Sequence, residues 1–281
     1  MKIRFIADSG CDIVGEQREN LTVLPLIITF GDEQYLDGVT LSHAEFYQKL
    51  SDCEALPTTS QLTPYHFSEA FEQAVQAGET VVAVTISSKL SGTYQNAVIA
   101  AADYPGKVYV VDSENVTVGQ RALVERGMEL AEQGYSAAEI AECLEREKKQ
   151  IHLIALVDTL EYLKRGGRVS KTVAFAGGLL SVKPVIAIRE GAVIILGKAR
   201  GSRQGNNLLT EEIEKSGGVD FTRPFFLGYT GSGQEKLDQY IADSKPLWEG
   251  KTDRLPIMTV GGAIGTHAGP GAVAVAYFSE K

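Results

Sequence analysis

Short apolar, β-branched runs alternate with segments of helical periodicity through the first half of the chain. The clearest predicted strands are Ile3 to Ala7, Val81 to Ile86 and Val108 to Val111. The segments between them carry helix-start signals, such as Ser42 with Glu45 three positions later. Strands that alternate with helices are typical of βαβ units. We therefore predict a mainly parallel sheet covered by helices.

The pattern of apolar and polar residues changes after the charged amphipathic segment Ser136 to Gln150. Two apolar strands, Val182 to Ile188 and Ala192 to Leu196, flank a short polar turn, which predicts a hairpin and antiparallel pairing. At 281 residues the chain is long enough for about two domains. We predict an α/β domain with a parallel sheet over residues 1–150 and an α/β domain with a mixed sheet over residues 151–281.

Composition narrows the classes of partner. The chain has 27 basic and 36 acidic residues and a net charge of -9, so its surface should repel nucleic acid. Its 3 cysteines are widely spaced and form no C-x-x-C pair, which predicts neither a disulfide framework nor a zinc site. No apolar run approaches the roughly 20 residues needed to span a bilayer. We expect a cytoplasmic protein with at most peripheral membrane contact.

Hydroxyl and carboxylate side chains follow the predicted strands of the first half. Asp8-Ser9, Ser87-Ser88 and Asp112-Ser113 each stand where a strand ends. Ligands of open α/β sheets bind at this carboxyl edge. The same residue types also cap the helices that follow strands. The pattern by itself leaves both interpretations open.

Two further segments have residues that suit an anion. Ser91 and Gly92 precede a predicted helix from Tyr94 to Ala102, whose first N–H groups would face a carboxylate or a phosphate. The segment is neither a Walker A loop nor a nucleophile elbow. Thr58, Thr59 and Ser60 form a hydroxyl-rich loop, for which an ordinary turn is the better interpretation when the loop is taken alone. Leu160 to Arg168 predicts a short helix whose cations either meet an anion or are solvated.

The segment Gly261 to Gly271 surrounds His267 with glycines, and we predict a flexible loop there. The chain has only 4 histidines, and this one alone has such surroundings. A single histidine serves structure or function, and we favour function here. No metal ligation is predicted, because no cysteine or second histidine accompanies it.

Together and in order, these segments resemble the DegV family of bacterial fatty-acid-binding proteins. The resemblance covers essentially the whole chain. It is carried by Asp8-Ser9 with Asp12, Thr59-Ser60-Gln61, Leu90 to Thr93, Asp112-Ser113 with Thr117 and Gly119, Tyr162-Leu163, Arg168-Val169-Ser170, Lys183-Pro184, Gly265-Thr266-His267 and Gly269-Pro270-Gly271.

The resemblance implies a three-layer α/β/α N-terminal domain and a C-terminal domain that encloses a fatty acid tail. It implies that Thr59 and Ser91 bind the carboxylate with the Gly92 amide, and that Ser60, Arg168 and His267 lie nearby. It further implies a partner, the ATP-binding subunit of a fatty acid kinase, which phosphorylates the bound acid. No cofactor is expected. Arg168, Arg200 and Arg203 are docking candidates, although the loop Lys198 to Gln204 is less basic than the family pattern.

Apolar stretches at 172–180 and 184–188 are candidate walls for the tail and are equally good ordinary core. Three alternative functions stay open. Ser91 and His267 would serve a serine acyl hydrolase with Asp8 or Asp112. A small-ketone-binding protein related to dihydroxyacetone kinase would use His267 as a covalent anchor. A regulatory scaffold would need no pocket.

Overall fold

The computed structural model describes residues 2–16, 18–169 and 182–279. Its strands are β1 (Ile3–Asp8), β2 (Leu21–Leu24), β3 (Ile27–Phe30), β4 (Glu33–Leu36), β5 (Thr58–Ser60), β6 (Thr80–Thr85), β7 (Val108–Asp112), β8 (Ile151–Leu156), β9 (Val182–Arg189), β10 (Ala192–Arg200), β11 (Phe226–Tyr229), β12 (Ile257–Thr259) and β13 (Val273–Phe278). Its α-helices are α1 (His43–Asp52), α2 (Pro64–Gln76), α3 (Thr93–Ala101), α4 (Thr117–Glu132), α5 (Ala137–Glu147), α6 (Glu161–Arg165), α7 (Gly201–Lys215), α8 (Glu235–Asp243), α9 (Lys245–Trp248) and α10 (Gly262–Ala268).

The strands form one parallel sheet, one mixed sheet and one small antiparallel sheet. The parallel sheet has the order β2-β1-β6-β7. The mixed sheet has the order β10-β9-β8-β13-β11-β12, and its β11–β12 pair is parallel while its other pairs are antiparallel. The antiparallel sheet, β4-β3-β5, was not expected from the sequence. The predicted α/β fold with a parallel sheet followed by a mixed sheet is confirmed.

The two larger sheets share part of their core. All strands of the parallel sheet precede residue 113, and all strands of the mixed sheet follow residue 150. Phe5 of β1 nevertheless lies in the same buried cluster as Ile151 and Phe278 of the mixed sheet. Because a shared core couples the two parts, a division into domains at residue 150 stays a prediction.

Local sequence rules explain several element boundaries. Ser42 with Glu45 forms a complete capping box at the start of α1, and Ser136 with Glu139 does the same for α5. Between β9 and β10 the backbone has φ of 50° at Glu190 and 78° at Gly191. Positive φ at both central residues is what a two-residue hairpin turn of type I′ requires. The predicted hairpin is confirmed.

Two segments that were expected to be loops are regular structure. Thr58–Ser60 is strand β5, held by antiparallel pairing in which Thr59 stands opposite Ile28. The segment from Lys198 to Gln204 is divided between the end of β10 and the first turn of α7. Arg200 and Arg203 are both exposed there. Strand β5 arises from pairing with β3, about 30 residues earlier in the chain, whereas the end of β10 pairs within the hairpin with β9.

The glycine-rich segment around His267 is a helix, not the predicted flexible loop. Gly262 and Gly265 of α10 lie directly against the aromatic side chains of α1, so close that a Cβ would lie 2.7 Å from Phe46 Cδ2 and 2.7 Å from Tyr47 Oη. Glycine disfavours helices by about 1 kcal/mol per residue. Here the glycines permit an approach that buries α10, and this packing overrides the local preference.

Candidate functional site

A cavity of about 380 Å³ lies between the carboxyl edge of the parallel sheet and one face of the mixed sheet. Residues that follow β6 and β7, such as Ile86 and Val116, form one side of it. Alternate residues of β8, such as Leu153 and Ala155, form the opposite side. Carboxyl edges of parallel sheets and junctions between folding units are where ligand pockets usually occur.

The cavity brings together all six residues that the sequence singled out for ligand binding, which are Thr59, Ser60, Ser91, Gly92, Arg168 and His267. They come from four places in the chain: β5, the start of α3, the residues after α6, and α10. Polar groups therefore gather at one part of a cavity whose remaining described lining is mostly apolar. Their role in binding stays a prediction.

His267 lies at the centre of this polar part. Its Nε2 is 2.8 Å from Thr59 Oγ1, at hydrogen-bond distance. Its Nδ1 is buried and has no hydrogen-bond partner within the described residues. Burial, assisted by the positive charge of Arg168, lowers the pKa of His267 to about 4. The imidazole is therefore neutral at pH 7 and can act as donor or acceptor according to its tautomer.

Arg168 is the only formally charged side chain among the described residues that line the cavity. Its Nε donates to Leu90 O at 3.2 Å, and its Nη1 donates to Gly166 O at 2.5 Å. Gly166 is also pressed against the histidine, because a Cβ there would lie 2.1 Å from His267 Nδ1. The glycine thus permits the guanidinium and the imidazole to stand side by side.

Ser91 and Gly92 stand at the N-terminus of α3. Ser91 Oγ lies 2.9 Å from Thr93 Oγ1, and Gly92 is the N-cap residue. The first N–H groups and the dipole of a helix favour a negative charge at this end. Gln61, which we did not assign to the site, covers Gly92 so closely that a Cβ would lie 2.0 Å from Gln61 Oε1. Its only sequence signal is its place beside Thr59 and Ser60.

Small side chains make room for the apolar part of the cavity. Ala155 of β8 stands opposite Ala274 of β13, and Ala274 stands opposite Gly228 of β11. The next residues across the sheet are bulky, with Ile186 at one end and Met258 at the other. We call the row Ala155–Ala274–Gly228 the trough. All three of its residues line the cavity.

The opposite face of the mixed sheet is filled. Ile154, Leu156 and Val275 pack there against Leu209 of α7 and Tyr240 of α8. Of the walls predicted from sequence, Ile186 and Ile188 in the segment 184–188 line the cavity. The segment 172–180 lies outside the described residues, as does Ser170. Alternation along each strand thus separates a face with a cavity from a face with a solid core.

The carboxylates at the strand ends accept hydrogen bonds from backbone amides. Asp8 accepts hydrogen bonds from Ile86 N at 2.7 Å and Gly10 N at 3.0 Å, and burial raises its pKa to about 6. Asp112 accepts from Ser88 N at 3.1 Å and Glu114 N at 2.9 Å. None of the strand-end residues Asp8, Ser9, Ser87, Ser88, Asp112 and Ser113 is among the residues that line the cavity. The capping interpretation of the strand-end carboxylates is the one that the geometry favours.

Two buried carboxyl groups hold the start of α10. Asp12 accepts from Gly261 N at 2.8 Å, and Asp37 accepts from Gly262 N at 3.0 Å. Burial raises the pKa of both carboxyl groups. Because α10 carries His267, these two aspartates position the imidazole from the other end of the helix. Asp37 had no sequence signal that would have identified this contact.

The contacts do not form a hydrolase triad. His267 Nε2 is at hydrogen-bond distance from Thr59, Ser91 Oγ is paired with Thr93, and no carboxylate among the described residues orients His267 Nδ1. A triad requires the histidine to stand between the serine and an acid. The described residues also contain no cluster of His, Cys, Asp and Glu that could hold a metal ion. No helix in the described parts is long and apolar enough to cross a bilayer.

Comparison with known proteins extends over the whole chain. A family model described as "Uncharacterised protein, DegV family" matches residues 2–280. A DegV domain-containing protein of Deinococcus radiodurans is 34% identical over 282 residues, which cover 98% of each chain.

Solved structures agree with this match. A DegV family protein from Thermus thermophilus, described as fatty acid binding, has a TM-score of 0.88 and 32% identity over 99% of this chain and 100% of its own. A DegV family protein from Eubacterium eligens, loaded with heptadecanoic acid, has a TM-score of 0.85 and 25% identity over 99% of this chain and 100% of its own. With a family model matched from end to end, this chain belongs to the DegV family.

Proposed function

We propose that this protein binds one long-chain fatty acid, with the carboxylate at the polar part of the cavity and the tail along the trough. The observation that carries the proposal is that one cavity has a polar part and an apolar part. A single cation, hydroxyls and a helix N-terminus stand at one part, and apolar side chains line the rest. The Thermus thermophilus and Eubacterium eligens proteins, which share the fold, bind fatty acids.

The polar part is suited to a carboxylate. A buried carboxylate needs donors around it, because an unpaired buried charge is prohibitively costly. Thr59, Ser91 and the Gly92 amide supply neutral donors, and Arg168 supplies a positive charge. His267 is neutral at pH 7, so its tautomer can adapt to the ligand while it stays paired with Thr59.

The tail supplies most of the affinity under this proposal. Each methylene that leaves water contributes about 0.8 kcal/mol, so about 15 methylenes contribute on the order of 12 kcal/mol before the costs of association. Apart from Gln61 and the residues assigned to the polar part, the polar side chains in the described lining are Thr117 and Thr230. The head group would then mainly set the orientation of the acid.

We further propose that the protein presents the bound carboxylate to the ATP-binding subunit of a fatty acid kinase and catalyses no reaction itself. Ser60 is exposed and Ser91 is half-buried, so the polar part of the cavity lies near the surface where a partner can reach it. Arg168 is half-buried in the same part of the cavity. Arg200, immediately before α7, and Arg203, in the first turn of α7, are both exposed. This partner rests on the family resemblance.

Mass spectrometry tests the binding proposal directly. The purified protein is weighed under native and then denaturing conditions, and any released lipid is extracted and identified. A stoichiometric long-chain acid is expected. A clean apo mass that stays unchanged after incubation with fatty acids would refute the proposal.

An acyl-phosphate assay with a purified kinase subunit tests the second step. Arg168→Glu is expected to impair acyl-phosphate formation more than lipid binding if this arginine meets the kinase. Arg165→Glu is the matched control, because Arg165 is an exposed cation of the neighbouring turn that pairs with Glu161 and does not line the cavity. Equal loss of binding and phosphorylation in Arg168→Glu would place the arginine in the pocket alone.

A further inference from the structure

Gln61 borders the cavity to which we assign the fatty acid, and it is also exposed to solvent. Its side chain reaches over Gly92, the N-cap residue of α3. A Cβ on this glycine would lie 2.0 Å from Gln61 Oε1 and 3.2 Å from Gln61 Nε2. The side-chain amide of Gln61 therefore lies at the helix N-terminus where we place the carboxylate.

The backbone on both sides of Gln61 is held by other elements. Ser60, which precedes it, is paired within the small antiparallel sheet. Leu62, which follows it, is 1% exposed, and its carbonyl oxygen accepts a hydrogen bond from Asn96 Nδ2 of α3 at 2.6 Å. These contacts fix the backbone of Gln61 beside the start of α3. The fold, and not the freedom of a surface loop, thus sets where the side chain can reach.

The side-chain amide of Gln61 has no hydrogen-bond partner within the described residues. The Gly92 N–H also has none in the described part of the chain. A glutamine amide offers two N–H donors and one acceptor, and rotation about its last torsion can present either. Two donors without a protein partner therefore lie close together at the polar part of the cavity. A carboxylate has acceptors for both.

We propose that Gln61 is a further binding residue for the head group, whose Nε2 donates a hydrogen bond to the bound carboxylate and whose side chain covers it from solvent. The inference rests on the proposed function. Thr59 and His267 already pair with each other, whereas the Gln61 amide is available. Hydrogen bonds to a charged acceptor are stronger than those to a neutral one, so Gln61 would favour a carboxylate over an uncharged head group.

Substitutions of similar length test the donor. Gln61→Met removes the N–H groups, and Gln61→Glu replaces them with a negative charge. In titrations of delipidated protein with dodecanoic acid, the loss of a charge-assisted hydrogen bond should raise the dissociation constant about fivefold in Gln61→Met. Repulsion between two carboxylates should raise it more than about tenfold in Gln61→Glu. Dodecanol has no charge, so its dissociation constant should change by about twofold or less in both variants.

Gln95→Glu is the matched control. Gln95 is an exposed residue in the first turn of α3 and does not line the cavity. The substitution places the same charge near the same helix N-terminus without contact with the head group. Because solvent and salt screen an exposed charge, the dissociation constant for dodecanoic acid should stay within about twofold of the wild-type value.

Three results would overturn the inference and leave the proposed function standing. The first is wild-type affinity for dodecanoic acid in folded Gln61→Met and Gln61→Glu. The second is an equal loss in Gln61→Glu and Gln95→Glu, which would assign the effect to general surface charge. The third is an equal loss of acid and alcohol affinity in Gln61→Met, which would reduce the role of Gln61 to packing. A wild-type protein that binds neither probe would overturn the proposed function together with this inference.

Discussion

Filling the trough should affect stability and lipid binding in opposite directions. Ala274 is 5% exposed and stands in the middle of the trough, between Ala155 and Gly228. Ala274→Leu adds three carbons to a cavity of about 380 Å³, so the larger side chain has room. At about 0.8 kcal/mol per carbon buried, the lipid-free protein should gain up to about 2 kcal/mol in free energy of unfolding.

The same three carbons take the place of tail methylenes. Octadecanoic acid should therefore lose about 2 kcal/mol of binding free energy, or about thirtyfold in dissociation constant. Dodecanoic acid should lose less, so the preferred chain should become shorter by about two to three methylenes. The assays are calorimetry of delipidated protein for stability and titration with saturated acids from dodecanoic to octadecanoic.

Ala187→Leu is the matched control for this experiment. Ala187 lies on β9 but faces the filled side of the mixed sheet, packed with Leu209 and Tyr240 in the same cluster. Its substitution should leave the preferred chain length unchanged, whatever it does to stability. Wild-type binding of octadecanoic acid by Ala274→Leu, without a gain in apo stability, would refute the assignment of the tail to the trough.

Three further predictions concern the polar part of the cavity. Thr59→Val and Ser91→Ala should each weaken fatty acid binding by about 1–3 kcal/mol, whereas Thr58→Val, at an exposed neighbouring residue of β5, should leave it unchanged. Titration of delipidated protein with a fatty acid measures the three affinities, and equal affinities in all three variants would contradict the prediction. Arg168→Gln should reduce the preference for a fatty acid over the corresponding fatty alcohol, and an unchanged ratio of the two affinities would remove the guanidinium from the head group. The pKa of His267 is lowered from 6.5 to about 4 in the folded protein, so the unfolded chain binds a proton more readily and the contribution of His267 to stability is lost as pH falls from about 6.5 to 4. Over that range the free energy of unfolding of the wild type, measured with denaturant, should fall by about 3 kcal/mol more than that of His267→Gln. Parallel pH profiles of the two proteins would refute this prediction.

Local patterns were sufficient for the five strands named from the sequence, for several helix starts and for the hairpin turn. Ser42, Ser136 and the Glu190-Gly191 turn act through neighbours within a few residues, so their effect can be predicted from a short window. The candidate site residues were selected mainly by resemblance, and the structure places all six around one cavity. The small sheet β4-β3-β5 was missed because its short strands have little periodicity.

The sequence by itself determined where hydroxyls, cations and apolar runs occur, because composition and local periodicity are properties of short segments. Only the tertiary structure decided that Thr59 meets His267 across 208 positions, that Asp12 and Asp37 turn a glycine-rich segment into a helix, and that three small residues align as a trough. Those contacts depend on the register between strands and on close packing between distant elements. Neither is encoded in any single window of the chain, so the shape of the cavity arises only when the whole chain folds.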